Sequence, residues 1–234
     1  MQPLELALIV FELVVMALSI SIHDAAQAWM ADRLGDPTAR MVGRISISPV
    51  EHFDPFGMVI WPLVSILIFH STLPFGWGRP VPMTYRNFRK KNGELYAILA
   101  GPGAQLLVAG IALVVLVVIK HTIPGTSALF DIATMLSFRM PLDGLAGLPS
   151  IFPVVLLLYM SIVVNLALAI VNIMPVSFLD GGKVLTYLLP YNAAQSYQKN
   201  SMFFMIGFFL LGGYLVAYIF TPLFGLFNAL LTVL

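Results

Sequence analysis

The chain alternates between long runs without charge and short polar connections. Leu4 to about Ile22 is apolar apart from Glu5, Glu12, Ser19 and Ser21. Pro55 to Gly78 carries no charge with His70 neutral, but Pro62 and Pro74 interrupt it. Leu95 to Ile119 gives 25 uncharged residues. Gly144 to Leu179 is also uncharged, and its helical core is expected from Ile151 to Met174. Asn200 to Leu234 is a last uncharged run, broken at Thr221-Pro222. Residues after Pro222 amount to about 18 Å of helix, too short to span a hydrocarbon core of about 30 Å. The first helix is expected to stop near Leu34-Gly35, because Gly35 suits a C-cap and Pro37 a stop. The N-terminal run has no Lys or Arg before it and reads as a retained helix.

Composition agrees with spans in lipid. Of 234 residues, 59% are hydrophobic and only 10% charged, where a soluble domain carries about 25%. Too few charges exist to coat a water-facing surface, which excludes an ordinary soluble enzyme. The net charge of +1 provides no basic field, so no nucleic-acid partner is expected. Zero Cys excludes disulfides, thiol catalysis and Cys-based zinc sites. The expected partners are the lipid bilayer and transmembrane segments of other proteins.

Charge bias orients the spans. Segment 31–94 holds Arg33, Arg40, Arg44, Arg79, Arg86, Arg89, Lys90 and Lys91, whereas 121–150 holds only Arg139. The first is expected on the cytoplasmic side, with the N-terminus and 121–150 outside. Phe75 to Met83 is rich in Gly, Pro and aromatic residues and predicts an extended or hairpin segment.

Ionisable and amide groups inside apolar spans are costly, so each marks a possible site. Glu12, Ser19, His23 and Gln27 are spaced +7, +4 and +4 and form one stripe on a helix, with Asp24 one step round. Helix–helix hydrogen bonding is the plainer account of such a stripe. Asn165 and Asn172 share a second face, and Pro175 should break that helix before Asp180, Gly181 and Gly182. Two glycines there permit a sharp turn. Gln105, within Gly101-Pro102-Gly103-Ala104-Gln105, is a lone amide among small residues that allow close packing. His70 and His121 fall near predicted membrane boundaries, and His52 has no spacing argument to assign it.

Taken together, His23 to Gln27 and Asn172-x-x-Pro175-x-x-x-Leu179-Asp180-Gly181-Gly182 resemble the site-2 protease family of intramembrane zinc metalloproteases. Supporting similarity runs through residues 31–38, 52–57, 75–82 and 100–102, so the resemblance covers residues 1 to about 190. It implies a single integral-membrane domain over 1–234, with a catalytic-core-like part at 1–190 and a C-terminal helical region at 200–234. It also implies a membrane-dipping, partly β segment between the two motifs. The expected fold is therefore all-α and polytopic, with about four full spans plus one re-entrant segment, or five or six helices if that segment or the tail crosses.

The family's H-E-x-x-H places two imidazoles at i and i+4 to hold zinc, with Glu as general base and a distant Asp as third ligand. Carried onto this chain, His23 and Asp180 match metal ligands, Asp24 stands where the base would be, and Gln27 stands where the second His would be. An amide oxygen is a poor zinc ligand beside imidazole. Asp24 is one methylene shorter than Glu, and misplacement on the order of 1 Å can cost about 100-fold. His52 is one source for a further ligand. In the second motif, Asn172, Pro175, Leu179, Gly181 and Gly182 match fully, whereas Gln105 replaces an Asn. Three readings follow: a zinc peptidase of transmembrane substrates with weak, altered or lost activity; a non-catalytic pseudoprotease that binds transmembrane segments or partner proteins; and a transporter or ion pathway along Glu12, His23, Asp24 and Asp180. Bringing His23 and Asp180 together requires both to lie toward the cytoplasmic side, and so requires 55–78 to return to its starting face. A bacterial or archaeal inner membrane is the expected location.

Overall fold

The computed structural model describes residues 3–68, 71, 73, 75–140 and 147–234. The expectations placed on His70 and Pro74, and the start of the run at Gly144, fall outside them. Helix α1 runs Pro3–Arg33, and the short α2 runs Thr38–Met41. A π-helical turn at Phe56–Ile60 leads into α3, Trp61–Leu67. After a 3₁₀ turn at Tyr85–Asn87 come α4, Gly93–Thr122, and α5, Ser127–Ser137. Helix α6 covers Phe152–Ile173, α7 Asp180–Leu188, α8 Tyr191–Lys199 and α9 Ser201–Val233. Four of these, α1, α4, α6 and α9, are long and apolar enough to cross a membrane.

Two boundaries follow local chemistry. Helix α1 stops at Arg33, and Gly35 adopts φ +111°, a left-handed conformation that glycine tolerates without cost. Helix α6 stops at Ile173, two residues before Pro175, and Met174 turns to ψ 140°. Below α1, the Asp36 carboxylate accepts from Thr38 N and Oγ1, Thr84 N and Asn87 Nδ2 at 2.5–3.1 Å. This knot ties the end of α1 to the 84–87 turn.

Helices α1, α4 and α6 pack together around Met16, Leu116, Val163 and Leu166, all fully enclosed. The polar stripe of α1 faces this protein interior. Glu12 pairs with Arg139 beyond α5, and Ser19 Oγ donates to Asn165 Oδ1 on α6 at 2.6 Å. Glu12 and Ser19, buried in the span, thus each have a partner, as the low-dielectric setting demands.

Three expectations need correction. No strand occurs among the described residues, so the partly β character of 55–78 is not found. Its apolar half, 56–67, is helical. The Gly- and Pro-rich 75–83 has no regular secondary structure; Pro80 and Pro82 lack N–H groups and no ladder forms. Two isolated bonds, Trp77 N to Gly57 O at 3.3 Å and Arg79 N to His52 O at 2.9 Å, bring the two ends of the excursion together. Second, α9 does not break at Thr221-Pro222 but continues through Pro222. Membrane helices tolerate proline; beside it the Thr221 hydroxyl donates to Ala217 O at 2.8 Å. Third, Gly181 and Gly182 do not form a turn; they lie in the first turn of α7. They allow close approach instead. A Cβ at Gly181 would lie 2.0 Å from Ile173 O, and one at Gly182 2.1 Å from Val176 O.

Helix α9 lies against α6 through Phe208, Val216, Phe220 and Phe224. Its far end is held by Lys120 at the end of α4, whose Nζ donates to Leu231 O and Thr232 O at 2.8 Å each. A cation at the C-terminal end of a helix complements the helix dipole.

Candidate functional site

Four elements converge on Asp180. Helix α1 brings His23, Asp24 and Gln27, α7 begins with Asp180, α4 passes behind with Gly101 and Gln105, and α6 contributes Asn172. His23 presents Nε2 to Asp180 Oδ2 at 2.8 Å and Nδ1 to Asp24 Oδ1 at 3.0 Å. Gln27 Nε2 donates to the same Asp180 Oδ2 at 2.6 Å and to Ile98 O of α4 at 3.1 Å. Two acceptors therefore orient the Gln27 amide, with its nitrogen toward Asp180. Lys183, three residues on in α7, donates to Asp180 Oδ1 at 2.9 Å. Burial works against charge on Asp180, but the hydrogen bond and charge of His23 and the nearby Lys183 hold its carboxyl down at about 2.

The slot that admits His23 is cut in α4. A Cβ on Gly101 would sit 2.4 Å from His23 Nε2, so only glycine lets helix and imidazole approach this closely. Gly78 fills the same role on the other side, where a Cβ would lie 2.7 Å from Asp24 Oδ2. His23, Asp24, Gln27, Gly78 and Asp180 line a cavity of about 280 Å³ that also touches Trp77 and Phe178. Asn172 Nδ2 donates to Gln105 Oε1 at 3.3 Å, and Gln105 Nε2 is buried without a protein partner.

Asp24 is held from the 44–52 loop. Its Oδ2 lies 3.3 Å from His52 Nδ1 and 3.4 Å from Arg44 NH2. Arg44 is fixed in turn by Arg79 O at 2.5 Å and Pro80 O at 3.3 Å. His52 is fully buried and its Nε2 meets Ser46 O at 2.6 Å, which sets the proton on that nitrogen. His52 thus sits beside Asp24 and not beside Asp180. His121 lies at the exposed end of α4, away from the cluster.

Sequence spacing had brought His23, Asp24, Gln27, Asp180, Gln105 and Asn172 into consideration, and the fold gathers all six around one cavity. It also recruits Arg44, Lys183 and the Ile98 carbonyl, which sequence reasoning missed. Lys183 had a readable signal, an i, i+3 spacing from Asp180 on a helix. Arg44 had none, since it comes from an irregular loop.

Residues 11–213 match the sequence model of peptidase family M50, the site-2 protease family. The chain belongs to this family. It is also 30% identical over 221 residues to the Bacillus subtilis (strain 168) protein named "Putative zinc metalloprotease YwhC", covering 93% of this chain and 87% of that one. No solved structure matches.

Family M50 leads one to expect zinc. A catalytic zinc needs three protein ligands with free lone pairs and an open position. Among the described residues no group of three or more His, Asp or Glu side chains could hold a metal ion. Both ring nitrogens of His23 are already engaged by carboxylate oxygens, Asp24 Oδ1 and Asp180 Oδ2, and Gln27 turns its amide nitrogen, not its oxygen, toward Asp180. This donor set does not fit zinc. What it makes instead is a closed hydrogen-bonded lock between α1, α4 and α7.

Proposed function

We propose that this M50 family member takes up a transmembrane segment of another protein at the His23, Asp24 and Asp180 cluster, and that hydrolysis there is weak or lost. One observation carries the reading: Gln27 Nε2 donates to the Asp180 oxygen that His23 also reaches. That oxygen is already shared by the Gln27 amide and the His23 ring nitrogen, and the position of a second imidazole is occupied by an amide donor.

The cavity has groups suited to an unwound peptide. Asn172 and Gln105 offer amides, and the free Gln105 Nε2 would find an acceptor in a peptide carbonyl. Asp24, gripped by Arg44 and His52, supplies a fixed carboxylate for a peptide N–H. The motif residues Pro175, Leu179, Gly181 and Gly182 shape the approach of α7 to α6 that keeps Asp180 in place. The bias of basic residues toward 31–94 supports an N-terminus outside and a site toward the cytoplasmic face of a bacterial or archaeal inner membrane. Excursion 55–78 then dips in and returns on that face, a reading supported by its joined ends.

A second reading, a zinc peptidase, is favoured by the name of the B. subtilis relative and by His23 and Asp180 standing at ligand positions. One experiment separates the two. The full chain, in bilayers, is mixed with a photo-crosslinkable transmembrane peptide containing a Gly-Pro break, with and without added zinc. Capture of intact peptide near His23, competed by unlabelled peptide, is the expected result. Zinc-dependent cleavage that disappears in Asp24→Asn and Asp180→Asn would establish the second reading. Neither capture nor cleavage would dismiss both.

A further inference from the structure

Trp77 and Phe178 each serve two spaces. They line the polar cavity at Asp180, and with Trp61 and Phe209 they line an aromatic groove of about 500 Å³. Trp61 and Phe209 border in turn an apolar cavity of about 530 Å³ between α3, α6 and α9. Ring contacts follow the same line, with centroids 5.6 Å apart for Trp77 and Phe178, 6.3 Å for Phe178 and Phe209, and 4.8 Å for Phe209 and Trp61. Three spaces thus share walls in sequence, leading away from the Asp180 cluster.

Helix α6 sets the scale. Asn172 lines the polar cavity, whereas Val171 and Ala167 line the apolar one. Positions 167 and 172 are about 7.5 Å apart along a helix axis. The apolar cavity asks for no hydrogen bond. Ser65 and Ser71 on its wall already donate their hydroxyls to Pro62 O at 2.8 Å and Leu73 O at 2.9 Å. Its lining is small at Ala167, Gly213 and Ala217 and aromatic at Phe75 and Phe208. A Cβ on Gly213 would meet nothing within 4 Å, so this glycine keeps space open.

We propose that this cavity selects a bulky apolar side chain, best an aromatic one, on the transmembrane segment whose backbone lies at the Asp180 cluster. The inference rests on the peptide-binding reading above. Lipid tails are as apolar as phenylalanine, so inside a membrane packing decides the preference. A ring placed among Phe75, Phe208 and Trp61 gains edge-to-face contacts that an acyl chain lacks. An acyl chain laid through the three spaces would also end against the ionic Asp180 cluster, where a peptide offers N–H and C=O groups. The selected side chain lies about 7.5 Å from the peptide unit beside Asn172. That is about two residues away in an extended segment and about five in a helical one.

The full chain in bilayers is offered the photo-crosslinkable peptide with Phe or Ala placed at each position in turn on either side of its Gly-Pro break. Phe should raise capture about fivefold at one position, about two to five residues from the crosslinked unit, and nowhere else. Gly213→Leu fills the cavity and should bring the Phe and Ala peptides level. Gly225→Leu, on the same helix but outside the cavity, should keep the preference. Phe75→Ala enlarges the cavity and should move the preference from Phe to Trp. Capture without a preferred position would overturn this inference alone, as would a preference untouched by both cavity variants. A phospholipid that stays with the native chain in mass spectrometry and is lost in Gly213→Leu would also overturn it, by assigning the cavity to lipid. Capture of no peptide at all would overturn the peptide-binding reading as well.

Discussion

Gln27 on α1 and Asp180 at the start of α7 are 153 residues apart in the chain and joined by a 2.6 Å hydrogen bond. The glutamine also reaches the Ile98 carbonyl, so one amide spans three helices. A structural lock thus stands where the family's zinc chemistry would need a ligand. Gln27→His removes the amide donor and places an imidazole at i+4 from His23, the spacing that holds zinc. We expect the purified native chain, free of a His tag, to carry no zinc above background after dialysis against zinc. The Gln27→His chain should retain it. Elemental analysis reads both, and stoichiometric zinc in the native chain, lost in Asp180→Asn, would contradict the structure.

Asp180→Ala leaves His23 Nε2, Gln27 Nε2 and Lys183 Nζ without their common acceptor. Removing one partner from a buried, charged network costs about 3–5 kcal/mol, less here because the Lys183 side chain is 44% exposed and keeps contact with water. Thermal unfolding in detergent should show a Tm several degrees lower. An unchanged Tm would mean that the three donors find other partners.

Gly101→Ala adds a single methyl, and that methyl collides with the His23 ring. The imidazole must leave its slot or α4 must shift. Overpacking of this kind costs about 1–3 kcal/mol. Capture of a transmembrane peptide should fall along with Tm, whereas Gly103→Ala, whose Cβ meets open space, should alter neither.

Asp36 provides a pH dependence outside the membrane. Burial works against its charge, but the hydrogen bonds from Thr38, Asn87 and the Thr84 amide outweigh this and keep its carboxyl below the usual range. The stabilisation is therefore present above the ordinary carboxylate value of about 4 and is lost as pH falls below it. Asp36→Asn should lower Tm at pH 7 by several degrees and flatten the acid limb of the Tm profile. A parallel acid limb in the variant would assign that limb to other groups.

Much of this architecture was legible from the chain. Uncharged runs located α4 and α6 to within a few residues and the start of α1, whose end was read from Gly35 and Pro37, because burial in lipid leaves a pattern as long as the span itself. Polar residues on those runs also marked the site, since buried polar groups stand out against an apolar background. The 55–78 excursion was harder. An apolar stretch bounded by prolines allows helix or strand, and the choice fell to packing of Trp61 and Phe75 against Phe208 and Phe209 of α9. Pro222 misled for a related reason, as intrinsic propensity says little where α9 is held along its length and capped by Lys120. Nor could spacing foresee the orientation of the Gln27 amide, which depends on an acceptor in α4.

The stripe on α1 has a consequence for how this protein comes to be built. Glu12 finds Arg139 only 127 residues later, Ser19 finds Asn165 after 146, and His23 finds Asp180 after 157. A chain made from its N-terminus therefore commits its first helix to the bilayer long before the groups that satisfy it exist. Until α6 and α7 arrive, that helix must keep its polar face against water, lipid headgroups or an assisting protein. Biogenesis, more than the finished fold, is where substitutions along this face should first be felt.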